Sequence, residues 1–141
     1  MLFDIFTTAS ISSSLDYGRL TVEISGHGAG TSTLSPFYVT YMSGTKGLTK
    51  QNIGTNITTA TVADSEWHHY ALRFKNTGSN ISVDLFVDGD FNSNVTDGTT
   101  INYVSGTLVG TIGALATHPS GTAAGPPQAD KGWGKLSGFR S

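Results

Sequence analysis

Residues 67–89 read WHHYALRFKNTGSNISVDLFVDG. This stretch decides the fold. Tyr70, Leu72 and Phe74 alternate with His69, Ala71 and Arg73. Further on, Ile81, Val83, Leu85 and Val87 alternate with Ser82, Asp84, Phe86 and Asp88. Period-two alternation predicts strands with one face on a core. Between the two runs lies Asn76-Thr77-Gly78-Ser79-Asn80, a series of turn formers in which Gly78 can take a positive φ. Asp88-Gly89 is a second turn signal and ends the second strand. The prediction is an antiparallel hairpin at the centre of a sheet.

Working outward, the same alternation recurs. Leu2–Thr7 (LFDIFT), Gly18–Ser25 (GRLTVEIS) and Phe37–Met42 (FYVTYM) read as strands. Asn56–Ala63 (NITTATVA) reads as a Thr-rich strand, since β-branched residues suit a pleated surface. Leu108–Ile112 reads as a short strand with glycine at both ends. Gly26–Ser32, Gly44–Gly54 and Ala116–Gly132 read as loops, and the chain after Gly89 reads as polar up to Thr100–Val104. No helix of ordinary length is predicted. The expected core is Leu20, Val22, Val39, Trp67, Tyr70, Leu72, Phe74, Val83, Leu85 and Val87.

Composition agrees with one all-β domain. The chain has 141 residues, with 37% hydrophobic and 13% charged, and it is rich in Gly, Ser and Thr. The formal net charge is −2, with no basic block. That argues against nucleic acid as a partner, because phosphate binding needs clustered Lys and Arg. No apolar run approaches a membrane span, so membrane insertion is not expected. Cysteine is absent, which excludes disulfides, thiolate metal sites and Cys nucleophiles. Asn56-Ile57-Thr58, Asn80-Ile81-Ser82 and Asn94-Val95-Thr96 are formal glycosylation sequons. They are common by chance in a chain so rich in Asn, Ser and Thr.

The motif W-H-H-x-A, followed by V-x-L-F-V-D-G, resembles the central hairpin of laminin-G-like domains in the concanavalin-A-like lectin/glucanase superfamily. Thr111-Ile112-Gly113 and Gly134-Lys135-Leu136-Ser137-Gly138 resemble two later steps of that pattern. The likeness spans roughly residues 60–140. It implies an antiparallel two-sheet jelly-roll sandwich in which 1–141 form a single laminin-G-like domain. Against that pattern both ends look cut, and the expectation is a segment of a larger protein that lacks edge strands.

Several chemistries compete with purely structural roles. Glycoside hydrolysis needs two carboxylates about 5–9.5 Å apart. Glucanases of the superfamily carry E-x-D-x-x-E, whereas Glu23 and Glu66 lack that context. Asp84, Asp88 and Asp90 alternate, but Gly89 breaks the strand and Asp88 fits a turn. No enzyme activity is expected. His68 and His69 are neighbours on a strand, so their rings point to opposite faces and cannot readily chelate one ion. His27, in GHGAG, lacks the G-K-[ST] ending of a phosphate loop. No cofactor is assigned. The resemblance leaves calcium open, with Asp64, Asp90, Asp97 and Asp130 as loop carboxylates.

Sugar binding would need an exposed ring with polar groups beside it. Trp133, Tyr103 and His118 are the ligand-binding candidates, although Trp133 could equally cap the core. The expected function is a non-catalytic binding or adhesion module of an extracellular or virion-surface protein, such as a phage tail, fibre or capsid protein or a bacterial surface protein. Its partners would be a glycan or cell-surface receptor and the protein subunits of a larger assembly. One alternative is a purely structural subunit held by protein–protein contacts. The other is a degenerate glucanase.

Overall fold

In a computed structural model, residues 2–7, 17–24, 34–99, 101 and 107–112 are described. They form two antiparallel sheets around a shared core. The first sheet holds β1 (Phe3–Thr7), β2 (Gly18–Ile24), β3 (Phe37–Ser43), β4 (Lys46–Asn52) and β8 (Leu108–Ile112) in the order β4-β3-β2-β1-β8. The second holds β5 (Tyr70–Asn76), β6 (Ile81–Val87) and β7 (Asp90–Asp97) in chain order. The expected strands at β1, β2, β3, β5, β6 and β8 are all present. Among the described residues no helix is long and apolar enough to cross a membrane.

Register follows the apolar alternation. Tyr70 pairs with Val87, Leu72 with Leu85 and Phe74 with Val83. In the other sheet, Phe3, Val22 and Val39 lie side by side across β1, β2 and β3. Val22, Phe37, Val39, Leu48, Ile53, Ile57, Ile81, Val83, Leu85 and Ile101 form the buried cluster between the sheets. Tyr70, Leu72, Phe74 and Val87 pack against it while partly exposed. Ring contacts bridge the sheets: Phe37 meets Tyr70 at 4.9 Å, and Tyr41 meets Phe74 edge-on at 5.4 Å. Such pairs favour one alignment of the layers beyond simple area burial.

Five expectations need correcting. Gly44–Gly54 is not all loop, because Lys46–Asn52 forms β4. This strand has a single buried apolar side chain, Leu48, so it carries no alternation to read. The chain after Gly89 is not merely polar, since Asp90–Asp97 forms β7. Val95 packs against the core, but its neighbours on that face are Ser93 and Asp97, so pairing with β6 defines the strand. Asn56–Ala63 is not a strand. It holds a single helical turn, α1 (Thr59–Val62), in which Thr58 and Thr61 cap one another's backbone N–H groups. That local bonding competes successfully with a ladder. Finally, Trp67 is 97% exposed rather than in the core, because the strand begins only at Tyr70. Leu20, also expected in the core, is half-buried with its register partners Ile5 and Tyr41.

Two bulges re-aim side chains. In β4, Thr49 and Lys50 together face Thr40, whose hydroxyl accepts the Lys50 N–H at 3.1 Å. In β7, Asn92 is the extra residue between Phe91 and Ser93. Its amide clasps the Thr55 backbone, accepting the Thr55 N–H at 2.8 Å and donating to the Thr55 carbonyl at 3.1 Å. Thus β7 ties down the segment that leads to α1. The second face of the five-stranded sheet is also buried along Asp4, Phe6, Thr21, Thr40 and Met42. There Arg19 donates to both oxygens of Asp4, at 3.2 Å each. Burial works against charge on Arg19, but the hydrogen bonds and charge of Asp4 outweigh it and raise the guanidinium pKa.

Candidate binding site

His68, His69, Asp88 and Asp90 gather at one end of the three-stranded sheet, with Trp67 and Phe91 beside them. β6 and β7 join through Asp88-Gly89, with φ of 53° and 95°, and Val87 pairs with Asp90 across them. Positive φ at both central residues makes this a tight hairpin turn whose twist matches the strands. Asp88 does more than turn the chain. One of its oxygens accepts the His69 N–H at 2.8 Å, while its own N–H donates to the His69 carbonyl at 2.8 Å. The entry to β5 is therefore locked to the β6–β7 turn.

His68 completes the lock. Its Nδ1 lies 2.7 Å from Asp88 Oδ2, and its Nε2 lies 3.0 Å from Asp64 Oδ2. Carboxylates facing both nitrogens require an N–H on each, which is the imidazolium form. The pKa of His68 is accordingly raised to about 8, chiefly by the bond to Asp88 and then by that to Asp64. Asp88 is held below its ordinary range, first by His68 and then by the His69 N–H. Asp64 is lowered mainly by accepting the Glu66 N–H, at 2.9 Å, and next by His68. The His68 ring lies 6.1 Å from Tyr70, which in turn packs on Phe37. A chain of contacts so runs from the core to the surface.

Trp67 stands directly before this clamp, with its indole almost wholly in solvent. Tryptophan usually buries most of its large apolar area, so a ring this open is a departure from the norm. Phe91, the second open ring at this end, is 61% exposed and packs edge-on against Phe86 at 5.8 Å. Arg73 lies over the other ring at 5.2 Å from the Phe86 centroid.

The other candidate carboxylates for catalysis and for calcium are placed differently. Asp84 is buried on the outer face of β6 and bonded to Arg73 at 2.8 Å, to Lys75 at 2.9 Å and to the Asn94 amide. These bonds, that of Lys75 first, hold its pKa down. It thus serves an ion-pair group. Asp97 lies at the far end of β7 from Asp90 and accepts both the N–H and the hydroxyl of Thr99. Among the described residues, no group of three or more His, Asp or Glu side chains is arranged to hold a metal ion.

Trp133, Tyr103 and His118 lie outside the described residues, as do His27, Asp130 and the stretch 134–138. The site at Trp67 was missed because the hairpin pattern invites one to extend β5 back to the tryptophan. The Asp64-Ser65-Glu66 turn and the pairing of Tyr70 with Val87 mark the true start. Compared with protein-family models, curated proteins and solved structures, the chain matches nothing.

Proposed function

We propose that this chain is a non-catalytic binding module with a laminin-G-like jelly-roll fold, carried by a phage virion or bacterial surface protein, and that a glycan stacks on Trp67. The observation that carries this reading is the exposed Trp67 ring beside a backbone fixed by His68, His69 and Asp88. A flat ring in solvent suits the apolar face of a pyranose, and neighbouring polar groups can bond its hydroxyls. His69, Glu66 and Asp90 are exposed and adjacent in sequence to the clamp, so they are the groups available for that role. The bonds of Asp88 to His68 and to the His69 backbone hold the chain beside the ring in place, which lowers the ordering cost of binding.

Screening wild type and Trp67→Ala on an immobilised glycan panel tests the reading. Binding should be lost in the variant while its melting temperature stays within a few degrees of wild type. Equal binding by both proteins would remove Trp67 from the site.

A second reading, a structural subunit held by protein–protein contacts, draws on β8. Leu108 and Ile112 share the face of Phe3 and Ile5 through register, yet both are about two-thirds exposed, at 66% and 65%. Sedimentation of the chain would favour this reading if it self-associates and binds no glycan.

A further inference from the structure

We infer that His68 is a pH-operated clamp that holds Trp67 ready for its ligand while both ring nitrogens carry protons, and frees the preceding segment when one proton leaves. This rests on the proposed role of Trp67 for its functional meaning, but the mechanical part stands on the geometry alone.

The clamp joins two segments that are distant in the chain. Asp64 belongs to the turn after α1, and Asp88 to the β6–β7 turn. An imidazolium donates to both carboxylates. A neutral imidazole has one N–H and one lone pair. One contact must then set a lone pair against a carboxylate oxygen at 2.7 or 3.0 Å, which is repulsive.

The Asp64 side is the one that yields. Asp88 is fixed independently by its two bonds to the His69 backbone. Beside His68, Asp64 bonds within its own turn, to the Glu66 N–H and to its own N–H, and so has no tie to another strand among these partners. Trp67 lies between Asp64 and His68 in the chain, so losing that contact detaches one of its two anchors. The groups around His68 leave it in control. Asp64 and Asp88 are both held low and stay ionised through neutral and alkaline pH. The Tyr70 hydroxyl on β5 is shifted upward, first by burial and then by Asp88 and Asp64. Glu66 and Asp90 add negative charge nearby in sequence, His69 acts electrostatically on Asp88, and α1 carries no titratable side chain.

The chain has two tryptophans, so Trp133→Phe leaves Trp67 as the sole reporter. The test is Trp67 fluorescence anisotropy from pH 6 to 10 without ligand, with circular dichroism to confirm the fold at each point. Anisotropy should fall with a midpoint at about 8. Adding His68→Gln should give a low, flat profile. Asp64→Asn, which keeps the shape of the side chain, should lower both the anisotropy and the midpoint. A flat parent profile, or a fall that survives in His68→Gln, overturns the clamp. Where a glycan binds, affinity should drop roughly two- to five-fold between pH 6.5 and 9.5, the scale of an exposed charge pair. Gating of the ring with no glycan bound would sink the glycan reading alone. Glycan binding with a rigid ring at every pH would sink the gating alone.

Discussion

His68 Nδ1 lies 2.7 Å from Asp88 Oδ2, and that contact crosses from the entry of β5 to the β6–β7 turn. Its contribution to stability has a defined pH window. His68 is raised from 6.5 to about 8 in the folded chain, so its share is full below 6.5 and lost as pH rises through about 8. Asp64 and Asp88 are lowered from 3.8, so their share is present above that value and lost as pH falls. Melting temperatures of wild type and His68→Gln should differ most between about pH 4 and 6.5 and converge by pH 9. A gap that widens toward pH 9 would show that the histidine stabilises in its neutral form.

The Asp4–Arg19 pair should behave differently, because water does not screen it. The Asp4 side chain is fully buried and that of Arg19 is 11% exposed. Removing one partner leaves a buried charge without its counter-charge. Asp4→Ala should therefore cost about 3–5 kcal/mol in denaturant unfolding. The double variant Asp4→Leu/Arg19→Met should recover most of that loss, since apolar replacements of similar volume avoid the desolvation cost. A single-variant loss below about 1 kcal/mol would mean that the pair is solvated.

Gly47 and Gly78 offer an internal comparison. Both have positive φ, at 116° and 83°. A Cβ on Gly47 would meet the Tyr41 carbonyl oxygen at 2.3 Å and Met42 Cα at 2.9 Å, whereas one on Gly78 meets nothing. Gly78→Ala should cost about 1 kcal/mol for the backbone conformation alone. Gly47→Ala adds a clash with main chain, for a total of about 3 kcal/mol or more. Equal losses in urea titrations would place Gly47 away from the β3 backbone.

What could be read in the sequence depended on how much apolar alternation each element carries. Leu72, Phe74, Val83 and Leu85 face one core, and the central hairpin was legible from them. β4 and β7 carry one inward apolar residue each, Leu48 and Val95, and take their shape from the strands beside them. Thr58 and Thr61 turned a stretch of β-branched residues into a helical turn through two side-chain bonds, a local choice that propensity does not reveal. The site was harder. Trp67 looks like the first residue of a core strand, but β6 turns away at Asp88-Gly89 and leaves β5 no ladder partner before Tyr70. Asp64 and Asp88 are 24 positions apart by number, and they meet only through the His68 ring of the folded chain.

The measurement that bears most directly on the binding role is a glycan titration followed by NMR of the two indole N–H signals, assigned with Trp67→Phe and Trp133→Phe variants. Movement and broadening of the Trp67 signal with saturation is the predicted result. Saturable movement of the Trp133 signal with Trp67 unchanged would contradict the account.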